Sequence, residues 1–600
     1  MLNRKKISKQ KKSTIFSLIS RLWQHIAYRR KNQYILLLFL MIIASFAEVV
    51  SIGSLIPFLT ALTNPDKILS NNLIHSIIKT LGIESSDQVL IFFTITFCFF
   101  ALLSGAIRML LLFCSNHISF ATGSDLRVAI YEKTLYQPYK VHISRNTSDI
   151  INVIHSKTGL IIYTVILPLL TIISVSIMLI SIVLTLIYVD PYVSLLTAVL
   201  FGFIYILIAK QTRNKKIKNS YMIASQSSNI IKSIQEGIGG IRDVLIDGSQ
   251  HVYLKNFIQS DLALRKAQAS NQFVGQSPRY LMESFGMIII ALIAYYLFKQ
   301  ENGQNNAITT LGVLALGAQR LLPVMQQAYT SWSSIQGSFH SLIDTLDLLD
   351  QKPLYSFYNS SKKSSVNFMQ KIELKNIEFK YSPSKSNVLC GINLKINKGD
   401  RLGIIGVTGS GKSTLVDILM GLLEPTSGKM TIDDHTINFK NVRCWQKHIA
   451  HVPQSIFLAD TSIAENIAFG EDPKNIDWNR VRQSAEMAQL KEVISKLPKS
   501  YNTIVGERGV NLSGGQKQRI GIARALYKRA DILVFDEATS ALDSKTEDSV
   551  MKAIESLGSD ITCIFIAHRL TTLKNCKKVI ELADGKIVKN GSYKKIIKPS

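Results

Sequence analysis

The segment Gly406-Val407-Thr408-Gly409-Ser410-Gly411-Lys412-Ser413-Thr414 sets glycines, one lysine and hydroxyl side chains in the order that binds a nucleoside triphosphate. Glycines let main-chain N–H groups approach phosphate oxygens, and a helix that follows adds the partial positive charge of its N-terminus. Lys412 would reach the β- and γ-phosphates, and Ser413 would bind magnesium. The residues before the segment, 401–405, read as a strand, and those after it as an apolar helix, which is the context this motif requires. About 120 residues further on, the apolar run Ile532-Leu533-Val534-Phe535 ends in Asp536-Glu537. A buried strand of this kind brings Asp536 beside the phosphate loop to hold the metal. Glu537, the next residue, then polarises the attacking water as a general base. These residues predict ATP hydrolysis, with ATP and Mg2+ as cofactors.

Between the two lies Leu512-Ser513-Gly514-Gly515-Gln516, opening a helix over 517–526. This motif resembles the signature of ATP-binding-cassette (ABC) proteins, and other family motifs follow the same order. Gln454 resembles the Q-loop glutamine that senses the metal and the membrane domain. Asp543, in Ser540-Ala541-Leu542-Asp543, resembles the D-loop aspartate, and His568 the switch histidine that contacts the γ-phosphate. Tyr381 resembles the aromatic that stacks on adenine, and 503–509 resembles the X-loop of exporters. Alone, Tyr381 or His568 would read as core packing; in this order each reads as a site residue. In this family one P-loop and the partner's Ser513-Gly514-Gly515-Gln516 clamp each ATP, so the resemblance implies two chains. With every motif intact, the expected partner is a second copy of this chain.

The remaining residues must carry the membrane part. Mean hydropathy is +0.18, and 47% of the residues are hydrophobic. Six apolar runs stand at 34–62, 89–113, 160–189, 193–209, 282–298 and 308–329, each about as long as a bilayer-crossing helix needs. A soluble core does not supply six such runs. Basic residues cluster in the N-terminal arm, at 114–158 and at 210–281, while 63–88, 190–192 and 299–307 carry few. The positive-inside rule then puts both termini, both long loops and the cassette on the cytoplasmic side of a plasma (inner) membrane. The net charge of +27 is accounted for in this way, without a nucleic-acid partner. The N-terminal basic stretch is followed by no cleavage pattern and reads as a retained anchor. Six scattered cysteines without C-x-x-C spacing give neither a zinc site nor a disulfide framework.

The long loops keep helical periodicity, so spans two to five are expected to continue beyond the bilayer and to break at 136–139 and 236–240. The fold expected is therefore an α-helical transmembrane bundle of six spans with long cytoplasmic extensions, over 1–350. A linker at 351–370 joins it to an α/β P-loop NTPase, the ABC cassette, over 371–600. The resemblance covers the whole chain in the order of a type IV exporter half. A short amphipathic helix is also expected at 73–81, either resting on the outer membrane surface or packing on the transporter as a plain loop helix.

Ionisable residues in spans often mark a transport path. Arg108, Arg279 and Arg320 lie at the inner ends or interior of spans two, five and six, where they would attract a phosphate-bearing headgroup. The structural alternative is snorkelling, or pairing with Glu48 or Glu283. Gln137-Pro138-Tyr139, 144–148, Pro278-Arg279-Tyr280-Leu281-Met282-Glu283 and Gln319-Arg320-Leu321-Leu322-Pro323 resemble bacterial flippases of lipid-linked oligosaccharides and their polysaccharide-exporting relatives. That resemblance implies a polyprenyl-pyrophosphate-linked glycan as substrate. The competing expectation is a multidrug or lipid exporter of the same fold, taking an amphipathic substrate from membrane lipid.

Overall fold

The computed structural model describes residues 14–63, 86–189, 191–298, 321–351, 366–384, 386–538, 543–556, 558, 560–566 and 573–597. Arg320, His568, 540–542 and the stretch 73–81 lie outside the described residues. Contacts divide the chain into two compact units, Met1–Leu135 with Arg145–Lys352, and Tyr136–Ser144 with Pro353–Ser600.

The first unit is helical. A short helix, α1 (Ile15–His25), precedes α2 (Tyr28–Thr63) and the 50-residue α3 (Ser86–Leu135). A near-continuous run, α5, extends from Thr147–Asn152 to Leu167–Val189, with π turns at Val153–Lys157 and Ile162–Ile166. Two 49-residue helices follow, α6 (Pro191–Gly239) and α8 (Gln250–Phe298). The unit closes with α9 over 321–337 and α10 (Phe339–Leu349). At 1.5 Å per residue α3, α6 and α8 are each about 75 Å long, more than twice the hydrocarbon thickness. Three helices among the described residues, Tyr28–Ser51, Gln88–Leu135 and Thr147–Leu184, are long and apolar enough to cross a membrane. The fourth and fifth apolar runs lie inside α6 and α8, and the sixth begins in 299–320, outside the described residues.

What faces outward is apolar. On α3, Leu102, Met109, Leu112 and Phe113 are exposed, and on α2 so are Leu36, Phe39 and Phe46. A row of large apolar side chains on the outside of a helical bundle fits a lipid surface or a partner chain, and on helices long and apolar enough to cross a membrane it fits lipid. The interior is closed by Leu37, Met41, Leu126, Ile130, Val165, Leu342 and Leu346, which gather α1, α2, α3, α5 and α10 into one core. Ion pairs lock the basal end: Arg21 and His25 meet Asp350, and Lys157 donates to Asp344 at 2.6 Å.

The helix breaks fall where the sequence predicted them. α3 stops at Leu135 and Pro138 precedes a one-turn helix, α4 (Tyr139–Ile143). α6 stops at Gly239, and Gly240 precedes α7 (Ile241–Ile246). Proline lacks the donor a helix interior needs, and glycine loses the most entropy there. α9 runs to residue 337, although the sixth apolar run ends at 329. From Thr330 onward one face of α9 turns polar, which lowers hydropathy without ending the helix.

The second unit is α/β. A four-stranded antiparallel sheet has the order β2-β1-β4-β5, built from β1 (Lys371–Phe379), β2 (Leu389–Asn397), β4 (Ser427–Ile432) and β5 (His435–Thr436). A six-stranded sheet has the order β10-β9-β3-β8-β7-β6. Its strands are β3 (Arg401–Gly406), β6 (Ile449–Val452), β7 (Ile532–Asp536), β8 (Thr562–Ile566), β9 (Lys578–Ala583) and β10 (Lys586–Gly591). All its pairs are parallel except β10 with β9. β7 and β8 are buried nearly throughout and β3 through its centre, and parallel strands covered on both faces read as apolar runs for that reason. Trp445, 1% exposed, donates its indole N–H to the Leu419 carbonyl and fixes the helix behind the phosphate loop.

Candidate functional site

The site forms where strands end. In the register of the large sheet, Ile566 of β8 lies opposite both Ile404 of β3 and Asp536 of β7. The chain leaving β3 and the acids ending β7 therefore emerge on either side of one strand. Carboxyl ends of parallel strands are where open α/β sheets bind ligands.

After β3 the loop turns on glycines before α11 (Lys412–Leu419). Gly406 has φ 149°, and a Cβ there would stand 2.3 Å from the Leu582 carbonyl oxygen and 2.7 Å from Ser410 Oγ. Gly409 and Gly411, with φ of 86° and 100°, adopt backbone that side chains resist. Lys412 Nζ donates to the carbonyls of Gly406 at 2.8 Å and Val407 at 3.0 Å, which folds the amine over the loop. Ser410 Oγ is buried and has no hydrogen-bond partner among the described residues. An orphan hydroxyl beside glycine N–H groups and a lysine fits a phosphate, so the residues present suit ATP. Ser413 and Thr414 open α11, and Thr414 Oγ1 lies 3.0 Å from the Tyr381 hydroxyl. Tyr381 in turn meets Phe379 edge-on, with centroids 4.9 Å apart.

Asp536 ends β7 with its carboxyl held above the usual range, by burial first and then by Glu537, while Lys412 pulls the other way. Glu537 has φ 49°, in the left-handed region, and its N–H donates to the Ile566 carbonyl at 3.0 Å. Non-glycine residues rarely adopt this backbone and gather at functional sites when they do. Gln454 Nε2 donates to Glu537 Oε2 at 2.7 Å, so the structure joins two of the residues the sequence singled out. Among the described residues no group of three or more His, Cys, Asp or Glu could hold a metal. Magnesium characteristically takes one or two protein carboxylates and fills its shell with phosphate oxygens and water, for which Asp536 and the Ser413 hydroxyl suffice.

Ser513 caps α13 (Gly514–Tyr527) through a reciprocal box: its Oγ accepts from Gln516 N–H, and its own N–H donates to Gln516 Oε1 at 2.9 Å. Gly514 and Gly515 leave that helix N-terminus uncovered, an arrangement suited to an anion. Asp543 caps α14 (Ser544–Glu555) by accepting from the Thr546 N–H at 2.9 Å, which lowers its pKa. His568 lies outside the described residues.

Two residues were missed by motif reading. Asp417, on α11, has its carboxyl pushed up to about 6 by burial and then by Asp536. Its position four residues after Ser413, on the same helix face, was the available signal. Lys140, in α4, donates to the Lys380 carbonyl at 3.4 Å and lies 5.4 Å from the Phe379 ring centre. Burial, Asp417 and Tyr381 raise the pKa of the neighbouring Tyr139 phenol. The short helix that interrupts the membrane unit is thus seated on the cassette beside the aromatic expected at adenine.

In the helical unit, Arg108 pairs with Glu48 at 3.4 Å, and Ser104 Oγ donates to the same carboxylate at 2.8 Å. Arg279 pairs with Glu283 through Nε at 2.7 Å. Both ion pairs are the structural alternatives the sequence presented.

A phosphate loop, a strand-end acid pair and a capped glycine helix, fused to apolar helices, define a membrane-bound P-loop ATPase. Residues 32–318 match the family model described as ABC transporter transmembrane region, and residues 389–540 the model described as ABC transporter. The chain belongs to the ABC transporters: an integral membrane exporter with ATP hydrolysis coupled to transport. It is 28% identical over 486 residues to the ATP-dependent lipid A-core flippase of Ralstonia nicotianae, covering 79% of each chain. It is 36% identical over 327 residues to the leukotoxin translocation ATP-binding protein LktB of Mannheimia glucosida, covering 54% of this chain and 45% of that one. A solved bacterial Atm1-family ABC exporter with ATP bound has the same fold, at a TM-score of 0.77 and 20% identity, over 95% of this chain and 96% of the other.

Proposed function

We propose that two copies of this chain form an ATP-driven flippase for a lipid-linked oligosaccharide or related glycan lipid. The transmembrane domain spans 1–350, the linker 351–370 and the cassette 371–600. Basic residues on the long loops support a cassette and termini on the cytoplasmic side of the inner membrane.

Each site takes its phosphate loop from one protomer and the N-terminus of α13, with Ser513, Gly514, Gly515 and Gln516, from its partner. Tyr381 stacks on adenine; Gly406, Thr408, Gly409, Ser410, Gly411, Lys412 and Thr414 hold the phosphates. Ser413 and Asp536 hold Mg2+, with Gln454 at its edge. Magnesium supplies charge neutralisation on the phosphate oxygens. Glu537 orients water and accepts its proton, Gln454 fixes the carboxylate, His568 faces the γ-phosphate, and Asp543 borders the dimer contact. Lys140 and Tyr139 in α4 carry closure of the cassettes to α3 and α5.

The substrate assignment rests above all on Arg279. It stands three residues before span five, 63% exposed, and its hydrogen bond to Glu283 uses Nε alone. The terminal guanidinium nitrogens therefore have donors for a pyrophosphate. Arg320 adds positive charge, and Arg108, paired with Glu48, offers its remaining guanidinium donors. The test is ATPase activity of the purified protein in lipid with added polyprenyl-pyrophosphate glycan, beside Glu537→Gln. Stimulation that disappears in Arg279→Ala and Arg320→Ala is the expected result. Stimulation only by amphipathic drugs or simple lipids would favour a multidrug or lipid exporter instead.

A further inference from the structure

A cavity of about 450 Å3 lies among α5, α6, α8 and α9. Two helices give it polar faces. On α8, Gln268, Asn271, Gln272 and Gln276 recur at three- and four-residue spacing; on α9, Thr330, Ser333 and Ser334 do the same, and Ser341 of α10 adds a further hydroxyl. Such spacing puts each set on one helix face, and the inward face of a bundle helix is ordinarily apolar. Ser333 and Ser341 are buried, while Gln272 and Gln276 are exposed, so the polar faces line a cavity that is open on the α8 side, where amides stay free to meet a polar ligand.

The cavity holds a single charge. Lys216 of α6 is 2% exposed, and its Nζ donates to the Asn271 carbonyl at 2.9 Å and to the Ser333 hydroxyl. No carboxylate lines the cavity, and among the described residues none pairs with Lys216. Burial pushes its amine down to about 8, which leaves it mainly protonated at neutral pH. Two glycines keep the space beside it open. A Cβ at Gly275 would stand 3.3 Å from Ser333 Oγ and 3.6 Å from Lys216 Nζ, and one at Gly337 3.0 Å from Asn271 Nδ2.

We propose that this cavity binds the phosphate-bearing, hydroxyl-rich head of the transported lipid, with phosphate on Lys216 and sugar hydroxyls on the amides of α8. This assignment rests on the glycan-lipid reading and names the part of the substrate it grips. Two of the three ammonium donors are engaged within the protein, and the third remains for an anion. Amide side chains both donate and accept, as hydroxyl groups require. The volume falls in the range of small-ligand sites, with room for a sugar phosphate and not for a long glycan. Lys216 lies seven residues beyond residue 209, roughly 10 Å past the end of span four, at the depth of a lipid phosphate. That depth favours a lipid headgroup over a free sugar phosphate.

The test is equilibrium binding to the full-length protein in nanodiscs. The probes are N-acetylglucosamine 1-phosphate, its dodecyl phosphodiester and uncharged dodecyl glucoside. The wild type is expected to bind the phosphodiester at least tenfold more tightly than either other probe. Lys216→Met should abolish the preference over the uncharged glucoside. Gly275→Ala, which keeps the charge, crowds the Ser333 hydroxyl and fills space beside the amine, should weaken phosphodiester binding severalfold. Equal phosphodiester binding by wild type and both variants would overturn the site. Binding of the free sugar phosphate as tightly as the phosphodiester would overturn the lipid assignment. Charge-dependent binding without any stimulation of ATPase by polyprenyl-pyrophosphate glycan would sink the flippase reading and leave the cavity standing. Intact stimulation with no charge preference would do the reverse.

Discussion

Glu537 combines a reactive carboxylate with a backbone that carries a penalty, and the two are separable by substitution. Glu537→Gln keeps the side-chain shape and removes the base, for which general-base catalysis implies a 10²- to 10⁴-fold loss of kcat. At 1.36 kcal/mol per decade this is about 2.7–5.5 kcal/mol of transition-state stabilisation. The KM for ATP should move little, because the phosphate contacts come from the loop at 406–414. Glu537→Ala and Glu537→Gly both lose the carboxylate and its hydrogen bond from Gln454, so they differ only in backbone. With φ at 49°, alanine pays about 1–2 kcal/mol for the left-handed conformation, which glycine escapes. Glycine gives back about 0.5–1 kcal/mol through its more flexible unfolded chain. Glu537→Gly should therefore be more stable than Glu537→Ala by up to about 1.5 kcal/mol, a rise of at most about six degrees in Tm for a domain of this size. Phosphate release and thermal unfolding of the purified protein measure both effects. Hydrolysis by Glu537→Gln within threefold of wild type, or Glu537→Ala more stable than Glu537→Gly, would refute the reasoning.

Gly406→Ala should weaken ATP binding and cost about 1–3 kcal/mol of stability, because its Cβ would press on the Leu582 carbonyl; nucleotide titration and unfolding report it. Lys140→Ala loses a contact with the Phe379 ring and the Lys380 carbonyl worth about 0.5–1 kcal/mol. Basal ATPase should persist while substrate stimulation falls about two- to fivefold, in a comparison of hydrolysis with and without glycan lipid. Phosphodiester binding at Lys216 should fall as pH rises from 7 to 9.5, since the amine loses its proton near 8 and no other titratable group lines the cavity. The folded amine lies below the ordinary 10.5, so the unfolded chain binds more protons between the two values. Stability should accordingly increase, not decrease, across that interval.

The cassette was legible because its chemistry is local. A phosphate loop, Asp536-Glu537 and Leu512-Ser513-Gly514-Gly515-Gln516 are contiguous stretches whose backbone needs write themselves into residue types. The helix breaks were legible for the same reason, through Pro138 and Gly239-Gly240. The contact between Gln454 and Glu537 joins residues 83 positions apart, and only the parallel order of β6 and β7 brings them together. Glu48 and Arg108 could be named as a pair, but α2 packing on α3 decides that they meet. The polar stripes of α8 and α9 left no motif at all. Their periodicity is that of any amphipathic helix, and nothing in a single helix says that the polar face lines a cavity.

The most direct measurement is translocation itself. Proteoliposomes containing the purified chain would receive a fluorescent polyprenyl-pyrophosphate oligosaccharide. Loss of its accessibility to an external glycan-modifying enzyme would be followed with and without ATP. The account predicts ATP-dependent movement that stops in Glu537→Gln and in Arg279→Ala. Movement at equal rates without ATP, or none while a simple lipid or amphipathic drug is transported, would contradict it.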